Sequence, residues 1–138
     1  MTLGSLFSGV LGLDSGLLDA LRYHPDGCEP AWFCESDPFC RSIIAAHHPG
    51  VPIFDDVRAV SRPPRVSILC GGFPCTDVSL AGDGAALAGP ESGLWSEFRR
   101  VVSEMLPHTV VIENVAALLS GRGGGRVVRE LHDLGYRV

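Results

Sequence analysis

The 138-residue sequence predicts an α/β fold, a mainly parallel sheet with helices on both faces. Three observations predict it. Short apolar runs alternate with segments of helical period along the whole chain. Glycine and proline, at 17 and 10 residues, punctuate the junctions. Hydrophobic content of 46% with 20% charged residues is that of an ordinary globular core. No linker, repeat or low-complexity block interrupts the pattern, so residues 1–138 are read as one domain.

Thr2–Phe7 ("TLGSLF") reads as the first strand, ending at Ser8-Gly9. Leu13–Tyr23 places Leu13, Leu17, Leu18 and Leu21 on one helical face. Pro30–Glu35 reads as the second strand. Asp37–His48 reads as a helix with Asp37 as N-cap and Pro38 at its first position, where no N–H is needed. Val51–Val57 contains a short strand that ends near Asp55-Asp56. Arg65–Gly72 is the most strand-like run. Ser92–Met105 is an amphipathic helix, and His108–Val115 another buried strand. The segment "GRGGGRVVRELHDLGYRV" reads as a glycine loop, a helix and the start of a last strand. This arrangement leaves an open sheet edge, where a complementing polypeptide or a second copy is expected to pair.

Net charge is −5, and the 11 basic residues are all arginine. That balance argues against this segment alone gripping a nucleic-acid backbone. Five cysteines without a CxxC spacing predict reduced thiols and an intracellular, cytoplasmic setting. Cys28, Cys34 and Cys40 recur every six residues, which matches no zinc pattern, so no metal is expected. No apolar run reaches membrane-spanning length, and "MTLGSLFSGV" lacks a basic leader region.

In open α/β sheets ligands sit beyond the carboxyl ends of the strands. Those ends carry, in order, Phe7-Ser8-Gly9, Glu35, Asp56, Pro74-Cys75 and Glu113-Asn114. The loop "FSGVLG" lets backbone approach a ligand, or is simply a tight strand-to-helix turn. Its glycines, Gly9, Gly12 and Gly16, are not GxGxxG, which disfavours a dinucleotide pyrophosphate and so a dehydrogenase. Glu35, 23 positions past Gly12, suits ribose hydroxyls or is a solvated strand-end carboxylate. Asp56 accepts a hydrogen bond from an exocyclic amine or caps a turn. Cys75 follows "GGFP" in a loop, where a thiolate becomes a nucleophile. Glu113, after "VVI", is expected to be partly desolvated and so to donate a proton near neutrality, or else to cap the following segment.

The whole chain resembles the catalytic domain of DNA (cytosine-5) methyltransferases. "LFSGVLGLDSGL" resembles the family's first motif, "CESDPFC" its second, Asp56-Val57 its third and "GGFPCTDVS" its fourth. "SGLWSEFRRV", "ENV" and "LGYRV" resemble the fifth to the seventh. The resemblance implies a Rossmann-like, S-adenosylmethionine-dependent methyltransferase fold, truncated before the last strands and the target-recognition region. It implies a cofactor pocket of Phe7, Gly9, Gly12, Glu35, Asp56, Val57, Gly72, Pro74 and Leu94, with Ser79 toward DNA. It also implies Cys75 and Glu113 as catalytic groups acting on a cytosine flipped out of double-stranded DNA. A prokaryotic or phage-like source follows, within restriction-modification.

Four departures stand out. Leu11 occupies a position where the family usually has glycine, and Thr76 follows Cys75 where glutamine is usual. "LAGDGAALAGPES" lacks the usual basic residues, and nothing past the seventh motif is present. The competing expectation is an inactive remnant, or a regulatory binder that keeps cofactor or protein binding only.

Overall fold

The computed structural model describes residues 1–74, 93–116, 118 and 122–138. Its strands are β1 (Thr2–Leu6), β2 (Glu29–Cys34), β3 (Ile53–Phe54), β4 (Ile68–Gly71) and β5 (Thr109–Ile112). Its long helices are α1 (Gly12–Ala20), α2 (Pro38–His47), α3 (Gly93–Met105) and α4 (Arg122–Asp133). The five strands pair in the order β3-β2-β1-β4-β5, and every pair is parallel. Chain order therefore reverses between β1 and β4, which opens a crevice there at the carboxyl ends.

Alternation along the strands sorts the core into two layers. Leu3 and Ser5 of β1, with Ile68 and Cys70 of β4, face α1, whose Leu13, Leu17 and Leu18 pack against them together with Leu21. Phe33 and Ile44 pack with Leu11 under α2. Leu6, Trp32 and Leu69 face the other way, toward Trp95, Phe98, Val101, Val102 and Met105 of α3. Burying each such side chain contributes roughly 1.5–3 kcal/mol. The close fit between neighbouring strands depends on two glycines. A Cβ on Gly4 would meet the Trp32 indole at 2.5 Å, and one on Gly71 would meet the Leu6 carbonyl oxygen at 2.2 Å.

The predicted strands and helices are present, with shifted ends, but β5 is a half-buried strand at the end of the sheet order and not the buried one expected. Asp37 caps α2 as expected: its Oδ1 accepts the N–H of Phe39 at 2.7 Å and of Cys40 at 3.1 Å. Two further expectations fail. Gly123–Gly125 are not a loop but lie in the first turn of α4. Helix packing through Val127 and Leu131, and a bond from Trp95 Nε1 to Glu130 Oε2 at 2.8 Å, override the poor propensity of glycine. Nor does "LGYRV" start a strand. Leu134-Gly135 form a turn with Gly135 at φ +92°, and the Tyr136 hydroxyl donates to the Pro107 carbonyl at 2.7 Å. Among the described residues no helix is long and apolar enough to cross a membrane.

Candidate active site at the strand ends

The loop after β1 starts from a strained backbone. Phe7, Gly9 and Leu11 all lie in the left-handed region, at φ +57°, +52° and +69°. Two of the three carry a Cβ, which costs about 1–2 kcal/mol each. Polar bonds hold the loop in this form. Ser8 N–H donates to the Cys34 carbonyl at 3.2 Å, and Leu11 N–H to the Ser8 carbonyl at 2.9 Å. Gly9 N–H donates to Glu35 Oε2 at 2.7 Å. The other carboxylate oxygen of Glu35 accepts the Asp37 N–H at 2.8 Å. Arg41 fixes the same turn through the carbonyls of Glu35, at 3.1 Å, and Ser36, at 2.5 Å. Each Glu35 oxygen keeps a lone pair for a further donor. Cβ atoms on Gly9 or Gly12 would meet nothing within 4 Å, so the loop faces open space.

Next along the rim, Asp56 acts as a cap. Its Oδ1 accepts the Arg58 N–H at 2.9 Å and lies 3.7 Å from the Arg58 guanidinium, at the start of a 3₁₀ turn over Val57–Ala59. Val57 turns into the core at 4% exposure. Arg100 of α3 holds that turn through the carbonyls of Val57, at 2.9 Å, and Val60, at 3.0 Å.

Across the crevice the rim is built by packing. Phe73 is buried against the stacked pair Trp95 and Phe98, with ring centroids 5.4 Å and 6.3 Å away. Phe7 also stacks on Phe98, at 6.5 Å. Leu94 packs against the same cluster, and Pro74 is exposed above it. Glu113 N–H donates to the Gly71 carbonyl at 3.2 Å, which continues the β4–β5 ladder. Its carboxylate then lies over Gly72, where an added Cβ would sit 2.8 Å from Glu113 Oε2. Asn114 Nδ2 donates to the Phe73 carbonyl at 3.0 Å and ties the two strand ends together.

Glu113 is exposed, which corrects the expectation of partial desolvation. Among the described strands β5 is the last in the sheet order, and none of them covers its carboxyl end. Cys75 and Ser79 lie outside the described residues. The four described cysteines are free thiols. Burial pushes the thiols of Cys28, Cys34, Cys40 and Cys70 up, Cys34 to about 12, with Glu35 and Asp56 adding to that effect at Cys34. None of the four is an activated nucleophile.

Sequence reasoning passed over Arg41 and, above all, Asp14. Asp14 lies three and four positions before Leu17 and Leu18, on the leucine face of α1. An acid on an apolar face was the available signal. Asp14 is 1% exposed and is the one buried residue of that helix.

The family model of C-5 cytosine-specific DNA methylases matches residues 1–138. The chain is 32% identical over 143 residues to the type II methyltransferase M2.BsuMI of Bacillus subtilis, covering 99% of this chain and 35% of that protein. It is 32% identical over 131 residues to M.AquIA of Picosynechococcus sp., covering 87% and 50%. The chain thus spans about a third to a half of the length of these curated relatives. The fold matches an Entamoeba histolytica methyltransferase, EhMeth, with a TM-score of 0.72 at 13% identity, over 96% of this chain and 43% of that one. It also matches a Spodoptera frugiperda DNMT2 mutant, with a TM-score of 0.70 at 13% identity, over 96% and 41%.

Proposed function

Because the chain belongs to the C-5 cytosine-specific DNA methylase family, we propose that it forms the cofactor-binding and catalytic part of a DNA cytosine-5 methyltransferase. One observation carries this reading: the β4–β5 pairing sets Glu113 against Gly72, three residues before Cys75, on the rim that also holds the Gly9–Glu35 contact.

The rim fits S-adenosylmethionine. Its pocket is Phe7, Gly9, Gly12, Glu35, Asp56, Val57, Gly72, Pro74 and Leu94. The open space over Gly9 and Gly12 admits a ligand against bare backbone. The remaining lone pairs of Glu35 suit ribose hydroxyls, and Asp56 suits the adenine amine. Val57 backs the pocket from the core side. When bound, the cofactor supplies an electrophilic sulfonium methyl.

The chain's own groups make cytosine reactive. The ring is a poor nucleophile at C5. The Cys75 thiolate adds to C6 while Glu113 holds or protonates N3, and C5 gains the electron density it needs for methyl transfer. Loss of the C5 proton then expels the thiolate and restores the aromatic ring. A stacked base cannot be reached by Cys75, so the target is flipped out of duplex DNA, with Ser79 toward the strand. Cys75 is the candidate nucleophile by its place in "GGFPCTDVS", which resembles the family's fourth motif.

The partners follow from the same reading. They are double-stranded DNA, inside a prokaryotic or phage-infected cell, and a complementing polypeptide or second copy at the free edge of β5. A groove of 770 Å³ runs beside that edge, lined by His108, Val110, Leu131, Leu134 and Tyr136 among others. Tritiated methyl transfer from S-adenosylmethionine to DNA tests the activity, with the chain alone and with the rest of a family-length protein supplied. Transfer that Cys75→Ser abolishes supports the assignment. Transfer that survives this substitution overturns it. Calorimetry that shows no heat with S-adenosylhomocysteine at millimolar concentration overturns the cofactor claim.

A further inference from the structure

Ser5, Ser8 and Asp14 are the buried polar side chains among the described residues, and all three are connected. Ser8 Oγ donates to Ser5 Oγ at 2.8 Å. Ser5 is also the polar neighbour that most opposes the effect of burial on the Asp14 carboxyl. The Cys70 thiol donates to Asp14 Oδ1 at 3.5 Å from the neighbouring strand. Ser5 and Cys70 are register partners of β1 and β4, so this contact lies under the point where chain order reverses. The run starts in the β1 loop and ends in the interface between sheet and α1.

An apolar side chain would fill the Asp14 position at lower cost, because a buried carboxylate loses its hydration. The neighbouring positions on this face, Leu13, Leu17 and Leu18, are apolar. A carboxylate beside Ser5 offers an acceptor for its hydroxyl proton, and leucine offers none. That leaves Ser5 Oγ oriented as an acceptor for Ser8. Ser8 sits between Phe7 and Gly9, both left-handed, and its carbonyl closes the turn onto left-handed Leu11.

We propose that Asp14 is a positioning residue: through Ser5 and Ser8 it holds the left-handed loop open for the cofactor. The proposal rests on the S-adenosylmethionine reading above. It adds a buried group about one helical turn past Gly9 that touches no substrate.

The test is calorimetric titration of S-adenosylhomocysteine into the wild-type chain, Asp14→Leu, Ser8→Ala and the double variant, with thermal melts and amide exchange at Gly9 and Leu11. Losing one buried hydrogen bond predicts about a tenfold weaker Kd for either single variant. The double variant should be no weaker than the singles, because both break one run. Gly9 exchange should speed up by about the same factor, while Asp14→Leu melts no lower than wild type at neutral pH. Wild-type affinity and Gly9 exchange in Asp14→Leu overturn the proposal, as does a double variant that loses the product of the two single effects. If Asp14→Leu fails to fold, Ser5→Ala and Ser8→Ala decide on the same measurements. If wild type binds no S-adenosylhomocysteine, the cofactor reading fails, and Gly9 exchange in the variants still decides the positioning role.

Discussion

On the β1–β2 side of the crevice the backbone is pinned by polar groups. Gly9 N–H lies on Glu35, Ser8 N–H on the Cys34 carbonyl, and the Ser8 hydroxyl on Ser5. On the β4–β5 side it is anchored by rings, with Phe73 packed against the stacked Trp95 and Phe98. Both sides end at one rim but fail differently. Polar pinning fixes direction over short range at small net energy, roughly 0.5–1.5 kcal/mol per bond. Ring packing fixes position with larger energies and tolerates rotation of whatever hangs beyond it. The side assigned to the adenosine moiety is therefore the more directional of the two. The side assigned to the thiol is the more robustly anchored.

Phe73→Ala probes the packed side and should have the largest effect. It removes a ring that is 4% exposed and should lower stability by about 3–5 kcal/mol, read from urea or thermal unfolding. A loss under 1 kcal/mol would show that the ring is not the anchor. Glu35→Gln probes the polar side. It exchanges a carboxylate that accepts two backbone N–H groups for an amide with one acceptor oxygen. Stability should fall by only about 1–2 kcal/mol while S-adenosylhomocysteine affinity drops about tenfold or more. Equal losses in both measurements would erase the contrast between the two sides.

Leu11 sharpens the comparison further, because ordinary propensity predicts the opposite sign. Leu11→Gly and Leu11→Ala both lose a buried side chain packed with Phe33 and Ile44. At φ +69° the alanine keeps the steric strain and the glycine does not. The glycine variant should therefore unfold at the higher denaturant concentration, by about 1 kcal/mol. The reverse order would mean that the loop relaxes out of the left-handed region.

The smallest effect concerns pH. Burial pushes the Asp14 carboxyl above its ordinary 3.8, opposed by hydrogen bonds from Ser5 and Cys70 and by the nearby His48. The folded protein thus holds that proton more tightly than the unfolded chain. The contribution of Asp14 is complete below 3.8 and is lost as pH rises through the folded-state value. The melting temperature of wild type relative to Asp14→Asn should accordingly be most favourable near pH ~4 and decline toward pH ~8. A gap that does not change over that range would show no linked proton.

Much of the fold was legible because parallel strands leave continuous apolar runs, "SILC" at the fully buried β4 and "VVI" at the half-buried β5. Asp37-Pro38 announced the start of α2 for an equally local reason. The strand-end residues could be ordered in the same way, since parallel pairing puts every carboxyl end at one edge. What sequence could not carry was tertiary. Nothing local says that Gly123–Gly125 will be helical, because the stabilising contacts are with α3. The left-handed turn at Leu11 hides behind a side chain that usually avoids it. The exposure of Glu113 depends on which strand lies outermost, and "VVIENV" is silent on that. Asp14 was legible in principle, as an acid among leucines.

The floor of the crevice at Gly71 leaves no room even for a methyl group before the Leu6 carbonyl. Main chain there abuts main chain, so no exchange of side chains can deepen or fill that point. An engineer who wished this pocket to accept a bulkier donor would have to carve its walls, because its base is already at the limit set by the polypeptide itself.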